Sequence, residues 1–354
     1  MLFGEASERQ LTTMMSVLNK FCDASGEKIS LSKSKMLVSS NVDHNKALSL
    51  SHFCQIPLTK DFGKYLGAPM IHGRITRQTY TDLLSKMQAR LSAWENKHLS
   101  MAGRVTLAQS VLSALPNYLM QTLFLPEHVV NSIDKMIRRF VWGEHGFVRK
   151  MHTLSWDKIC LPKEYGGLNV RDTRKVNLAL MAKLGWSILE ERDCLWIDIM
   201  KHKYMKGKDL FSLAPKNTDS STWKSILKGR DLFLFNGIGI CVNNGRTTRF
   251  WSDPWLPCGA LIHHALQEVT ENEFLLFVAD YCTLDGIWKW DLLREKLPDE
   301  VLHMMASVSV DPTSDVQDSL LWKFSPDGKF TTKSAYISLL GERQEDRDWE
   351  FTDE

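Results

Sequence analysis

The sequence predicts a mainly helical α+β protein. Long stretches repeat apolar residues at a helical period, whereas the strand-like stretches are short and bounded by Gly, Asn, Pro or Ser. The composition, 44% hydrophobic and 24% charged over 354 residues, is typical of a globular protein with room for two or more domains. No apolar run approaches the ~20 residues of a membrane span, and no secretory leader is recognisable. We expect an intracellular protein, nuclear or cytoplasmic, without a membrane partner.

The cysteine pattern agrees with a reducing compartment. The seven cysteines are an odd number, are widely scattered and include no Cys-x-x-Cys pair. Buried thiols are therefore favoured over disulfides or a closed zinc site. His152, Cys160 and Cys194 have no recognised ligand spacing, and we assign no metal ligand.

The charge is unevenly distributed along the chain. Residues 60–175 contain 18 Lys and Arg against 9 Asp and Glu, a net charge of +9, so the rest of the chain carries −7 of the overall +2. A concentration of one sign favours binding of a polyanion, although a basic helix stripe is often only a solvated face. The middle of the chain is the predicted nucleic-acid surface.

The first 75 residues predict two capped helices and short strands. A capping box at Ser7 begins one helix, which ends near Gly26, and Asp43 caps another that runs to Cys54. The strand candidates are 28–31, 36–38 and a hairpin over 63–69.

Three amphipathic helices follow. The first buries an apolar face of Tyr80, Leu83, Leu84, Met87, Leu91 and Trp94. The second begins at Ser100 and is stopped by Pro116, and the third covers 129–141.

The C-terminal half predicts a helical stretch and then two hairpins. Residues 174–204 are helical, and Trp186 and Trp196 are expected to pack in the core rather than stack on bases. A linker at 211–222 marks a soft domain boundary. One hairpin is predicted to pair 238–242 with 247–251, and the other to pair 320–324 with 329–332. The charged tail over 341–354 is expected to be disordered.

Several consecutive motifs follow the order found in one known family. They are Leu-Ser-Ala-Trp at 91–94, Leu-Ser-Met-Ala-Gly-Arg-Val-Thr-Leu at 99–107, Ser-Val-Leu-Ser-Ala-Leu-Pro at 110–116, Trp-Gly at 142–143 and Arg-Phe-Trp at 249–251. This order closely resembles the plant LINE-type (non-LTR) retrotransposon reverse transcriptases, from the end of the palm domain onward.

The resemblance implies a domain division and an incomplete catalytic apparatus. The implied domains are a palm remnant over 1–75, a helical thumb over 76–145, a post-thumb helical region over 146–215, a hairpin-containing region leading into a truncated zinc-binding region over 216–340, and a charged tail over 341–354. The family copies RNA into DNA with Mg²⁺ held by an Asp-Asp box, and no Asp-Asp pair occurs here. We therefore expect no catalytic residue, metal or cofactor in this chain. A ribonuclease H domain is expected only beyond its end.

The resemblance also suggests which residues contact nucleic acid. Tyr-Leu-Gly at 65–67 resembles the element that grips the primer end, with an inward-facing hairpin as the alternative. Cations around it and on the predicted helices are the candidate phosphate contacts. The complete set of candidates is Lys33, Lys35, Lys64, Tyr65, Leu66, Gly67, Arg74, Arg90, Lys97, Arg104, Arg138 and Arg139.

Three functional interpretations follow from the sequence. The first is a truncated reverse transcriptase that retains at most the binding of RNA or an RNA–DNA hybrid. The second is a relic with no biochemical role. The third is the tail of an active polymerase whose upstream exon is missing from the sequence.

Overall fold

A computed structural model of the protein describes residues 2–65, 68–69, 78–95, 99–144, 150–208 and 210–345. The chain forms two compact units, Met1–Thr79 and Tyr80–Glu354. Helices dominate and strands are short, so the predicted mainly helical α+β fold is confirmed. Within the described ranges, no helix combines the length and apolar character needed to cross a membrane.

The first unit contains the two predicted helices, α1 (Glu8–Ser25) and α2 (His44–Cys54). The Ser7 side chain accepts a hydrogen bond from the Gln10 amide at the start of α1, and Gly26 ends the helix with φ 74°. The Asp43 carboxylate accepts from the amides of Asn45 and Lys46 at the start of α2. Both helices and the capping roles of Ser7 and Asp43 are confirmed, but the capping box at Ser7 is incomplete, because the Ser7 amide donates to the Glu5 carbonyl rather than to the Gln10 side chain.

The strands of the first unit are fewer than predicted. The hairpin is present as β1 (Lys64–Tyr65) paired antiparallel with β2 (Ala68–Pro69). The predicted strands over 28–31 and 36–38 are wrong, because only Met36 forms an isolated parallel bridge, to Leu58, and residues 31–33 form a turn. A short apolar segment becomes a strand only when a partner completes its hydrogen bonds.

Helices make up most of the second unit, and α3 begins at its boundary with the first. They are α3 (Gln78–Glu95), α4 (Met101–Leu107), α5 (Asn117–Met120), α6 (Glu127–Trp142), α7 (Trp156–Cys160), α8 (Thr173–Leu189), α9 (Leu195–Met200), α10 (Ser221–Gly229), α11 (Phe235–Gly237), α12 (Glu271–Phe274), α13 (Trp290–Arg294), α14 (Asp299–Ala306) and α15 (Thr332–Glu345). Short π-helical turns continue α4, α9 and α10 over 108–112, 201–205 and 230–234.

The predicted helix faces agree with the packing of this unit. On α3, the side chains of Tyr80, Met87 and Leu91 are buried, as the periodicity predicts. The Ser100 side chain accepts from the Gly103 amide and so caps α4. Helix α8 lies at the centre and contacts α5, α6, α10 and α15. Trp186 of α8 is buried, which confirms that it packs in the core.

The sheet pairing differs from both predicted hairpins. Strand β3 (Ile238–Cys241) pairs antiparallel with β4 (Ser319–Trp322), a segment about 80 residues away, rather than with the chain that follows it. The carboxylate of Asp318 accepts from the amides of Gly245, Thr247 and Thr248, which bends the turn after β3 toward β4. The chain bends at 243–244 and 246–248, where the turn is predicted, but the strand partner of β3 is a distant one.

The segment after β3 forms an aromatic core. Phe250 and Trp251 are fully buried, and Trp251 Nε1 donates to the Tyr281 hydroxyl at 2.9 Å. Trp255 stacks on Trp288 with ring centroids 5.6 Å apart. The aromatic residues of this segment therefore belong to the core and are not exposed for stacking on bases.

Candidate nucleic-acid interface

The candidate residues of the first unit are only partly described. Lys33 and Lys35 are exposed, at and just after the turn over 31–33. Lys64 and Tyr65 lie in β1, but their side chains are not among those described. Leu66, Gly67 and Arg74 of this unit, and Lys97 of the second unit, lie outside the described residues.

Helix α3 presents two cations on its solvent-facing side. Lys86 and Arg90 are one turn apart and exposed, whereas Met87 and Leu91 beside them are buried. Among the described side chains, no carboxylate pairs with Lys86 or Arg90. Both cations therefore reach solvent, with the exposed carboxylate of Asp82 one turn before Lys86.

Arg104 is used largely within the fold. Its Nε donates to the Val141 carbonyl at 3.1 Å, and its Nη1 donates to the Leu99 carbonyl at 3.0 Å. The guanidinium also lies so close to Gly143 that a Cβ there would be 2.8 Å from Arg104 Cζ. A cation at the C-terminus of α6 stabilises that end of the helix. Arg104 therefore has fewer donors left for a phosphate than Arg90, because two of its five N–H groups already have backbone acceptors.

Arg138 and Arg139 contribute a mixed cationic and aromatic edge on α6. The guanidinium of Arg138 lies 5.2 Å from the centroid of the Trp156 ring. Arg139 Nε donates to Glu144 at 3.1 Å and keeps 44% of its side chain exposed. Glu144 also hydrogen-bonds His152 at 2.8 Å. Arg139 therefore reaches solvent although it already has an acidic partner.

Two acids of this region, Asp134 and Glu144, are largely buried, and Asp172 is occupied as a helix cap. Asp134 is 8% exposed and accepts from the Thr173 hydroxyl at 2.6 Å, and burial raises its pKa to about 6. Asp172 accepts from the Lys175 amide as the N-cap of α8. The Glu144 side chain is only 8% exposed. Asp134 and Glu144 therefore add less negative charge to the surface than the residue count suggests, whereas Asp82, Glu127 and Glu164 stay exposed.

The structure reveals a cationic cluster that sequence reasoning missed. The half-buried ring of Phe124 has Arg174 Cζ 4.5 Å from its centroid and Lys228 Nζ 4.3 Å from it. Arg174 Nη1 donates to the Leu125 carbonyl at 2.8 Å, which fixes its position. These residues come from three separate segments, so no linear spacing points to the cluster.

A second missed surface is the segment Lys201–Lys208. It has four lysines and one histidine, with no acid. Tyr204 anchors it by stacking on Trp223, with ring centroids 4.8 Å apart and an interplanar angle of 9°. Lys203, Lys206 and Lys208 are exposed. The sequence shows this concentration of lysines. The spacing of its apolar residues, however, predicts only that the segment is the end of a helix.

No metal centre appears in the part of the chain that the structure describes. Nowhere in those ranges do three His, Cys, Asp or Glu side chains come close enough to hold an ion. The described residues therefore do not fit a divalent-metal nuclease or polymerase centre, and we derive no metal-dependent step from them.

Two proteins of Arabidopsis thaliana are similar to this chain. One, named "Putative ribonuclease H protein", is 34% identical over 273 residues, which are 77% of this chain and 44% of that protein. The other, an uncharacterized mitochondrial protein, is 29% identical over 144 residues, which are 40% of this chain and 93% of that protein. The chain thus spans less than half the length of the first relative. No family model matches it.

These relatives correct one interpretation of the sequence. Neither is a reverse transcriptase, so the assignment to that family is wrong. The motifs behind it are helix caps, apolar faces and turns, as at Ser100 and Pro116. Such residues describe packing, which proteins of different function share. The coarser relationship to plant proteins, one of them named for ribonuclease H, is what the comparison supports.

Proposed function

We propose that this chain is a nucleic-acid-binding portion of a longer protein that acts on RNA or RNA–DNA hybrids. Ribonuclease H activity is by definition directed at the RNA strand of such a hybrid, and one relative is named for it. The chain covers 44% of that relative, so its role is proposed as binding rather than cleavage.

The observation that carries the proposal is the pair of exposed cations on α3, within the basic stretch of the chain. Lys86 and Arg90 face solvent without acidic partners among the described residues. In the same basic stretch, Asp134 is buried against Thr173. Exposed cations in a stretch of net charge +9 give a positive field that phosphates neutralise with release of counterions.

Binding of this kind is electrostatic and needs no resident metal ion. Full-length chain should bind a labelled RNA–DNA hybrid equally well with and without a chelator. Its affinity should fall steeply with salt in a fluorescence-anisotropy titration. No detectable binding at low salt would refute the proposal and favour a relic without a biochemical role.

A matched pair of double variants locates the binding surface. The slope of log affinity against log salt concentration falls in magnitude by about 0.9 for each phosphate-neutralising cation that is removed. The double variant Lys86→Gln with Arg90→Gln should therefore reduce the magnitude of this slope by about 2. Lys329→Gln with Lys333→Gln removes the same charge from exposed positions outside the basic stretch. The control should leave the slope nearly unchanged. Equal effects of the two pairs would show that net charge, not this surface, governs binding.

A further inference from the structure

A groove in the first unit has the size of a small-ligand site. It lies between α1 and the end of α2 and has a volume of about 560 Å³. Ligand pockets commonly enclose about 300–1,000 Å³. Residues Met15, Asn19 and Asp23 line it at one helical face of α1. The end of α2 contributes Phe53 and Gln55.

The groove offers a flat aromatic surface. Phe53 is 50% exposed, although Cys54 beside it is buried in the small core of this unit. The packing of Cys54 holds this end of α2 in place and thereby positions the backbone of Phe53. The Phe53 ring itself stays accessible to solvent. A planar ring that accompanies polar groups in a groove favours a planar polar ligand over an aliphatic one.

The polar side chains of the groove supply hydrogen-bond donors, hydrogen-bond acceptors and a cation. Asn19 and Gln55 are exposed, and neither side-chain amide has a hydrogen-bond partner among the described residues. Lys20 lines the groove without an ion pair in those residues, even though Asp23 lies one turn further along α1. The Asp23 carboxylate only accepts hydrogen bonds, and Lys20 only donates them.

We propose that this groove binds one unpaired nucleotide of a single-stranded extension. The base stacks on Phe53 and its edge meets the amides of Asn19 and Gln55. Asp23 accepts from a base amino group, and Lys20 contacts the phosphate. This inference rests on the proposed function and specifies which part of the nucleic acid the first unit recognises.

Two substrates test it with the full chain. One is a blunt RNA–DNA hybrid, and the other is the same hybrid with a long unpaired extension at one end. Base–aromatic stacking predicts that the extension tightens binding by about 5-fold or more. Phe53→Ala should abolish that gain, whereas Phe53→Trp should retain it. Phe21→Ala is the matched control, because Phe21 is 55% exposed on α1 and does not line the groove.

A lysine pair tests the phosphate interaction. Lys20→Gln should reduce the gain from the extension, whereas Lys46→Gln, at an exposed position on α2 outside the groove, should not. An unchanged circular-dichroism spectrum and unchanged thermal unfolding show that each variant still folds, and unchanged affinity for the blunt hybrid shows that the second unit still binds.

The outcomes separate this inference from the proposed function. If the blunt hybrid binds with steep salt dependence but the extension adds nothing, the groove inference is overturned and the proposed function stands. If Phe21→Ala removes the gain as completely as Phe53→Ala, the groove is again excluded as the site. If neither substrate binds, both proposals fall.

Discussion

Replacement of Asn177 by alanine should be among the most destabilising single changes in the second unit. Asn177 lies on α8 and is fully buried. Its Nδ2 donates to the carbonyls of Met120 and Leu123 at 3.1 and 2.9 Å, and its Oδ1 accepts from the Leu125 amide at 2.7 Å. One side chain therefore satisfies three backbone groups of the loop between α5 and α6.

The magnitude follows from those three groups. A buried backbone group left without a partner costs ~1–3 kcal/mol, and alanine cannot replace any of the three bonds. Relaxation of the loop and entry of water recover part of the cost, so we expect a loss of about 3–5 kcal/mol in the free energy of unfolding. The loop also carries Phe124, and its loosening should weaken hybrid binding through the Arg174 and Lys228 cluster.

Chemical denaturation followed by circular dichroism measures the loss directly. Hydrogen exchange should show reduced protection of the Leu123 and Leu125 amides. Asn131→Ala, at an exposed position on α6, is the matched control and should change stability by less than ~0.5 kcal/mol. A loss below ~1 kcal/mol for Asn177→Ala, or a loss equal to that of the control, would refute the argument from buried backbone groups.

Two further predictions concern pH and have opposite signs. Burial raises the pKa of Asp134 to about 6, so its favourable contribution is complete below the ordinary carboxyl pKa and is lost as pH rises through about 6. Asp134→Asn should therefore be more stable than the parent chain at pH 7, by up to ~3 kcal/mol, with the advantage vanishing near pH 4 in thermal melts. An advantage independent of pH would contradict this reasoning. Burial also acts to raise the pKa of Asp318, but hydrogen bonds from Asn243, Thr248 and Gly245 outweigh it and hold that pKa below its ordinary value. Its contribution is present above the ordinary carboxyl pKa and lost as pH falls, so Asp318→Ala should be destabilising by ~2 kcal/mol or more at neutral pH, with a smaller difference in acid. Equal melting temperatures of Asp318→Ala and the parent chain at pH 7 would show that the carboxylate does not hold the turn.

The exposure of the candidate residues could be predicted from the sequence only where those residues share a helix. The period of α3 separates the buried Met87 from the exposed Arg90, and the structure agrees. The internal use of Arg104 could not be foreseen, because its acceptor at Val141 is on another helix. The same holds for Phe124, whose cationic neighbours come from distant segments.

Local chemistry determined the helices and their ends. Ser7, Asp43 and Ser100 cap helices through hydrogen bonds that span only two or three residues, so sequence order is sufficient to predict them. Apolar residues at a helical period likewise require only the geometry of one helix to form a buried face.

Only the tertiary structure decided the strand partners and the charge distribution of the surface. Residues 238–241 are followed by residues that favour a tight turn, which predicts a local hairpin. They pair instead with 319–322. The Asp318 carboxylate accepts hydrogen bonds from the amides of the segment after β3 and so brings the distant strand beside it. Asp134 counts as one negative charge in the sequence, but Thr173 and the core withdraw it from the surface. The strand pairing and the burial of Asp134 both depend on which distant groups form hydrogen bonds with buried polar atoms. Tertiary packing, not the order of residues along the chain, brings those groups together.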